Sequence, residues 1–463
     1  MKITVFQSDK GDCLLLEGRA GGLVLADGGM GDTYTRHVSP YLDKLRKKKR
    51  KLDAVYVSHI DEDHISGILQ MMNDAVDWRI YDYQKTVAKN SSAKKPASLR
   101  PPEVDRIWHN AFHEQVNDNT GDIEDTLAAT VAILAGSEAQ KYIRMAVFHQ
   151  EVATSIRQAI NLSRRIDEKQ LNIQLNPEAG GKLMVLRNLS NGKKPSPIKL
   201  GSMDWSLIGP MPADLSELRK EWNAWLKENQ KAIENIQDNS KKTEKRLGNS
   251  LTSEANQIVG IAASQAETLA IDLLNQLGQK APKVLGVRSK VTVPNLASLM
   301  FYVEEGVENG VVNTVLMTGD GHWEDILHGL EASKKIKKDE AIHVNVLKVQ
   351  HHGSEHNLNR DFCKRVTADH YIFCGNGAHE NPDVEVVQAI LDSRLVVGHQ
   401  GTHPNVNHPF KLWFNSSSAN PETEPQNREH MRQIEDLVAK ATAANKHRLS
   451  SFFLKRSSFE INV

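Results

Sequence analysis

Ser58-His59-Ile60-Asp61-Glu62-Asp63-His64-Ile65-Ser66-Gly67 is the stretch whose reading decides the fold. His59, Asp61, Asp63 and His64 put two imidazoles and two carboxylates into one short segment. The run before it, Leu52 to Val57, is apolar and β-rich, and Ile65 to Leu69 has the pattern of the first turns of a helix, so the four side chains are expected on a strand-to-helix loop. Loops at strand ends are where chemistry is commonly placed. The spacing lets His59 and Asp61 face one ion while Asp63 and His64 face a second, in the manner of hydrolytic sites whose two metals lie about 4 Å apart. Mixed imidazole and carboxylate donors suit Zn²⁺, Mn²⁺ or Fe. A solvated acidic turn that happens to hold histidine is the plainer reading, and the density of the cluster behind an apolar strand argues against it.

The segment resembles the H-x-H-x-D-H signature of the metallo-β-lactamase superfamily, with Asp61 standing where that family usually has its second histidine. The resemblance implies an α/β fold, a four-layer αββα sandwich, and two divalent metal ions, Zn or Mn. The extra carboxylate would harden the first site toward Mn²⁺ or Mg²⁺. Further implied positions follow in order. Asp27, at the end of the strand Leu23–Ala26, would support the metal loop from behind, or be a simple turn residue. His109, after the strand around Ile107-Trp108, would be the third-motif ligand, with His113 competing. Asp320, in Val315-Leu316-Met317-Thr318-Gly319-Asp320, would bridge both metals. Of His351 and His352, consecutive residues at a strand end point to opposite sides, so His352 is favoured as the ligand and His351 as a contact to substrate charge, with the reverse open. Asp63, Asp320 and His351 are thus the expected catalytic residues, and His59, Asp61, Asp63, His64, His109, Asp320 and His352 the expected ligands. L-K-V-Q-H-H-G-S, N-L-A-S-L and G-D-C-L-L-L together resemble a narrower branch, the hydrolase domain of bacterial competence DNA-uptake proteins and related phosphorylcholine esterases. In that branch a loop like Gly375 to Pro382 rims the site, which offers Asn376 and His379, with Ser354, as substrate contacts.

At 463 residues, 39% hydrophobic and 25% charged, the chain is long enough to bury a large core, and its 58 basic and 58 acidic residues leave no global field that advertises nucleic acid. Three cysteines, Cys13, Cys363 and Cys374, without a C-x-x-C pair suit buried thiols in a reducing compartment. No stretch approaches the roughly 20 apolar residues of a membrane span, and a cytoplasmic protein with no membrane association is expected.

The first part of the sandwich-like domain is read as 1–212, with a helical insertion near 122–167. A second, polar helical insertion covers 213–290, and the sandwich resumes over 291–463. The basic run Arg46 to Lys51 reads as a solvated helix end. In function, the leading expectation is a metal-dependent hydrolase that uses a metal-activated water on a phosphodiester, such as nucleic acid. The competing readings are a lactonase, thioesterase or β-lactamase-type hydrolase, and a protein-binding scaffold. The helical insertion is the expected surface for a protein partner.

Overall fold

The computed structural model describes residues 1–110, 158, 161–163, 165–186, 196–212, 295, 297–306 and 310–463. The 213–290 insertion, His113 and all but the end of the 122–167 insertion lie outside the described residues. The strands are β1 (Lys2–Phe6), β2 (Leu14–Glu17), β3 (Leu23–Ala26), β4 (Ala54–Tyr56), β5 (Arg106–Trp108), β6 (Gln174–Leu175), β7 (Ile198–Leu200), β8 (Met203–Gly209), β9 (Met300–Gly306), β10 (Val312–Met317), β11 (Ile342–Lys348), β12 (Val366–Phe373), β13 (Phe410–Phe414), β14 (Leu449–Phe453) and β15 (Ser458–Asn462). They form two mixed sheets, ordered β15-β1-β2-β3-β4-β5-β6 and β14-β13-β12-β11-β10-β9-β8-β7.

Strand alternation dictates the layering, because successive side chains point to opposite faces. In β1, Ile3 and Val5 join the core between the sheets. Phe6 faces the other way and meets the ring of Tyr41 edge-on at 5.3 Å, which seats helix α1 (Ser39–Lys47) outside the first sheet. In the second sheet Val315, Met317, Val346, Ile372 and Trp413 point inward to the same core. Their neighbours Leu316, Leu347, Tyr371, Phe373, Leu412 and Phe414 point outward and bury Ile326, Leu330, Ile390 and Ile434. Those four belong to helices at Trp323–Ala332, Val384–Leu395 and Pro425–Ala444. The result is the αββα order of helix, sheet, sheet and helix, consistent with the metallo-β-lactamase fold.

Two boundaries differ from the sequence reading in ways that matter for the site. Helix α2 runs Glu62–Thr86, so Asp63 and His64 lie in its first turn rather than on the preceding loop. Acidic Glu62 and Asp63 suit that position, where the helix dipole favours negative charge. The sequence from Asn295 to Val303 reads as one strand with a polar head, but within that head the described residues Asn295 and Ala297 to Leu299 are not strand. β9 starts at Met300, leaving Ser298 free of the ladder to serve the site. Cys13, Cys363 and Cys374 are all buried free thiols. Among the described residues no helix is long and apolar enough to cross a membrane.

Trp205 is fully buried between the sheets, with ring centroids 5.3 Å from Trp108, 5.5 Å from Phe301 and 6.4 Å from Tyr56. Trp205→Ala is expected to destabilise the fold by about 3–5 kcal/mol, the range for truncating a buried aromatic. The shift in the denaturation midpoint measures it, and Trp205→Phe should recover most of the loss.

Candidate metal centre

The parallel strands β3, β4 and β5 of the first sheet and β10, β11 and β12 of the second deliver their following loops to one end of the sandwich. Carboxyl ends of parallel strands are where open α/β sheets hold ligands. After β4, the Ser58 amide donates to Asp27 Oδ1 at 2.7 Å, and Asp27 Oδ2 lies 3.1 Å from His64 Nδ1. Asp27 itself has φ 54°, a left-handed backbone. A close approach of α2 to the 27–29 loop makes this possible. The Gly28 amide donates to His64 O at 2.8 Å and the Gly67 amide to Gly29 O at 2.9 Å. A Cβ on Gly67 would stand 2.0 Å from the Gly28 carbonyl oxygen, so only glycine fits there.

From the second sheet, Asp320 follows β10, its amide donating to Ser298 Oγ at 3.2 Å. His351 and His352 follow β11, but not as strand residues. They lie in a 3-10 turn, Gln350–Gly353, with φ 46° and 57°. The opposite-sides argument for consecutive histidines therefore fails, because it holds only for extended backbone, and this left-handed pair turns both rings the same way. His351 Nε2 is 3.6 Å and His352 Nε2 3.5 Å from Asp320 Oδ2. His64 Nε2 lies 3.4 Å and His59 Nε2 3.7 Å from that same oxygen. Asp61 Oδ2 sits 3.4 Å from His59 Nε2, and Asp63 Oδ2 3.1 Å from His352 Nε2. Asp320 thus stands between a His59–Asp61 side and a His64–Asp63–His352 side.

The hydrogen bonds on the far side of each ring test whether these donors suit a cation. His352 Nδ1 is 2.7 Å from the Cys374 carbonyl oxygen, which can only accept, so Nδ1 carries the proton and Nε2 is bare in the neutral ring. His64 Nδ1 donates in the same way to Asp27. Asn357 donates its Nδ2 to Asp320 O at 2.7 Å, which fixes its Oδ1 as the acceptor of His351 Nδ1 at 2.6 Å. His59 Nε2 is buried and makes no hydrogen bond. Lone pairs therefore converge on a carboxylate oxygen, and His64 Nε2 and His352 Nε2 stand 3.3 Å apart. Neutral imidazoles cannot satisfy that arrangement among themselves, whereas a divalent cation accepts from all of them, each ring being oriented by the partner of its other nitrogen. The residues present fit a metal.

Protons can take the same place when no metal is bound. Burial pushes His352 down, but Asp320 and Asp12 outweigh it and raise the ring to about 10. Burial opposes charge on His64 too, yet Asp320, Asp63 and Asp27 hold it well above the usual histidine range. Burial would raise Asp320, and the imidazoles led by His64 and His352 hold it well below the usual carboxylate range instead.

Two buried residues of the centre were not singled out from the sequence. Asp12, which the sequence offers only as part of the G-D-C-L-L-L stretch, lies 3.1 Å from His352 Nδ1 and 3.8 Å from His64 Nδ1. The ligand-capable atoms of Asp12, His64, Asp320 and His352 all lie within 4.8 Å of one another. Lys348, the last residue of β11, is 1% exposed. It forms a short ion pair with Asp12, donates to Gly319 O at 3.0 Å and lies 3.6 Å from Asp320 Oδ1. The lysine set between Leu347 and Val349 was the available signal.

The remaining expected positions are placed as follows. His109 is fully buried directly after β5, its amide held by Asn176 Oδ1 at 2.9 Å and its carbonyl by Asn176 Nδ2 at 2.8 Å. Asn376 is buried and donates to Asp9, while its Oδ1 accepts from the Ala378 amide at 3.0 Å. His379 is exposed on the 3-10 turn Ala378–Glu380 with φ 56°. Ser354 is buried at the end of the histidine turn, its amide donating to His351 O at 2.8 Å.

Residues 9–126 match the metallo-beta-lactamase superfamily. The match takes in Asp12, Asp27 and the whole 58–67 segment and ends well before Asp320 and the histidine pair, which the fold itself brings alongside. No curated protein and no solved structure matches the chain significantly. The superfamily consists mostly of metal-dependent hydrolases, and the buried Asp/His cluster is of the kind that holds their divalent ions.

Removing one partner of a buried ion pair strands the other's charge, so Lys348→Met is expected to cost about 3–5 kcal/mol in chelator-treated protein, read by denaturant unfolding. A pH effect follows from the raised His352. Because its folded pKa of about 10 exceeds the unfolded value, its contribution is complete below about pH 6.5 and is lost as pH rises through 10. Chelator-treated protein should therefore lose stability between pH 7 and 10, with a shallower slope in His352→Gln.

Proposed function

We propose that this protein is a metal-dependent phosphodiesterase, and most directly a nuclease acting on DNA or RNA. The observation that carries the reading is the acid-rich donor set: Asp61, Asp63 and Asp320 all lie within 3.7 Å of the ring nitrogens they face. Oxygen donors select harder ions such as Mn²⁺, and such ions suit the oxygens of a phosphodiester. The motifs around Asp320 and Lys348 to Ser354 add support through their resemblance to competence DNA-uptake hydrolases.

His59 with Asp61 would hold one divalent ion, Asp63, His64 and His352 a second, and Asp320 would serve both. When bound, two such ions supply Lewis acidity toward the phosphoryl group and an activated water nucleophile. The protein's own residues do the rest. Asp27 and Cys374 O keep His64 and His352 in the tautomer that leaves Nε2 bare. Lys348 offsets the charge of Asp12 and of the inner oxygen of Asp320. His351 is the most exposed of the histidines around Asp320, its side chain 26% accessible against 5% for His352. It stands at the mouth, where it can contact substrate charge, and burial holds its ring below the usual histidine range, so it meets substrate as a neutral imidazole. Exposed His379, with buried Asn376 and Ser354, forms the proposed rim for substrate.

The test is a panel of single-stranded, double-stranded and cyclic nucleotides with bis-nitrophenyl phosphate, run with Mn²⁺ or Zn²⁺. Turnover is expected to require added metal and to fall more than about 1,000-fold in Asp320→Ala, with a smaller fall in kcat for His351→Gln. Hydrolysis of a chromogenic lactam or lactone together with inertness toward every phosphodiester would overturn the reading.

A further inference from the structure

A second convergence of metal-binding side chains lies near the other ends of β11 and β12. His343, near the start of β11, is about 17 Å along the strand from Lys348 at its end. His343 Nε2 lies 2.9 Å from Asp369 Oδ1, and His408 Nδ1 lies 3.9 Å from that same oxygen. The ligand-capable atoms of the three all fall within 4.8 Å of one another. We propose that His343, Asp369 and His408 form a separate divalent transition-metal site, a Zn²⁺-class centre with its fourth position open to solvent.

Two features distinguish this cluster from a plain surface ion pair. The first is that the atoms turned away from the focus are already engaged. His343 Nδ1 is 2.9 Å from Thr367 Oγ1, and Asp369 Oδ2 accepts from Asn345 Nδ2 at 3.3 Å. That is the arrangement that orients an imidazole and a carboxylate toward a metal. The second is spacing. Two donors of a tetrahedral zinc, each about 2.0–2.1 Å from the ion, stand roughly 3.3 Å apart. The two measured separations straddle that value, and the group that has to move is the imidazole of His408, whose side chain is 54% exposed.

The backbone that carries His408 is fixed independently. Buried Arg394 donates to His408 O at 2.8 Å and to Val406 O at 2.9 Å. His403 stacks on His343 with centroids 5.6 Å apart and planes at 20°. Its Nδ1 accepts from the Asn405 amide at 3.1 Å, which puts its proton on Nε2 and makes it a wall of the site, not a ligand. His370 next to Asp369 is also engaged elsewhere, accepting from Trp413 Nε1 at 3.0 Å. Two nitrogen donors and one carboxylate favour Zn²⁺, Ni²⁺ or Cu²⁺ over Mg²⁺ or Ca²⁺. Such an ion would tie the segment between the Val384–Leu395 helix and β13 to the second sheet.

The experiment counts zinc. The full chain is stripped with chelator, loaded with Zn²⁺ alone, and its bound equivalents and affinities are determined by elemental analysis and competition with a chelating dye. His408→Ala and Asp369→Asn are expected to bind one equivalent fewer than the unaltered chain, or to bind that equivalent more than about 100-fold more weakly. Phosphodiester turnover, where present, should be unchanged. Because the readout is a difference of one, it stands whether or not the centre at Asp320 binds zinc or catalyses anything. Unchanged stoichiometry and affinity in both variants, with circular dichroism showing them folded, would overturn the proposal.

Discussion

The arrangement rests on one carboxylate oxygen. Asp320 Oδ2 faces Nε2 of His59, His64, His351 and His352 at 3.4–3.7 Å, inside a region from which water is largely excluded. Unprotonated nitrogens gathered on a carboxylate repel one another unless something positive stands among them. The protein has put its most costly polar groups where an ion can offset that cost. Every other feature of the centre serves the geometry: the glycine contact that lets α2 sit against the 27–29 loop, the left-handed turn that presents two histidines in succession, and the carbonyl and carboxylate partners that hold the far nitrogens.

Residues outside the metal-facing set carry much of the electrostatic balance. Asp12 reaches His64 and His352 from behind, and Lys348 stands between Asp12 and Asp320. A buried ammonium is expensive to desolvate and is tolerated here because two carboxylates flank it. Its fixed positive charge partly neutralises the carboxylate that has to face both sides of the centre, leaving the outer oxygen as the better donor.

Much of the fold was legible in the sequence because it depends on patterns with short range. The alternation in β1, the apolar run before His59 and the glycine-flanked Asp320 each place a strand and its following loop. The 58–67 segment reads as a metal loop because its four donors are close in sequence. The centre was harder to read wherever its logic is three-dimensional. Asp12 looks like any Gly-Asp turn residue until His352, 340 positions away in the chain, is seen beside it. Lys348 looks like the polar end of a strand. The orientation of His351 and His352 is not legible, because the opposite-sides rule holds only for extended backbone and no local pattern announces their positive φ. The second histidine cluster is hidden by separation along the chain, since its three members lie on two strands and a loop.

The ion pair of Asp12 and Lys348 joins the two sheets directly, one partner following β1 and the other closing β11. The donor set is divided along the same seam, with His59 to His64 on one layer and Asp320 to His352 on the other. Neither layer owns a self-sufficient half of the chemistry, so alignment between them is itself a functional parameter. A slide of about 1 Å along the seam would leave both sheets intact as folded objects and still, for the proposed reaction, cost on the order of a hundredfold in rate. For a molecule built this way, a sequence change far from any donor can silence activity simply by moving one layer against the other.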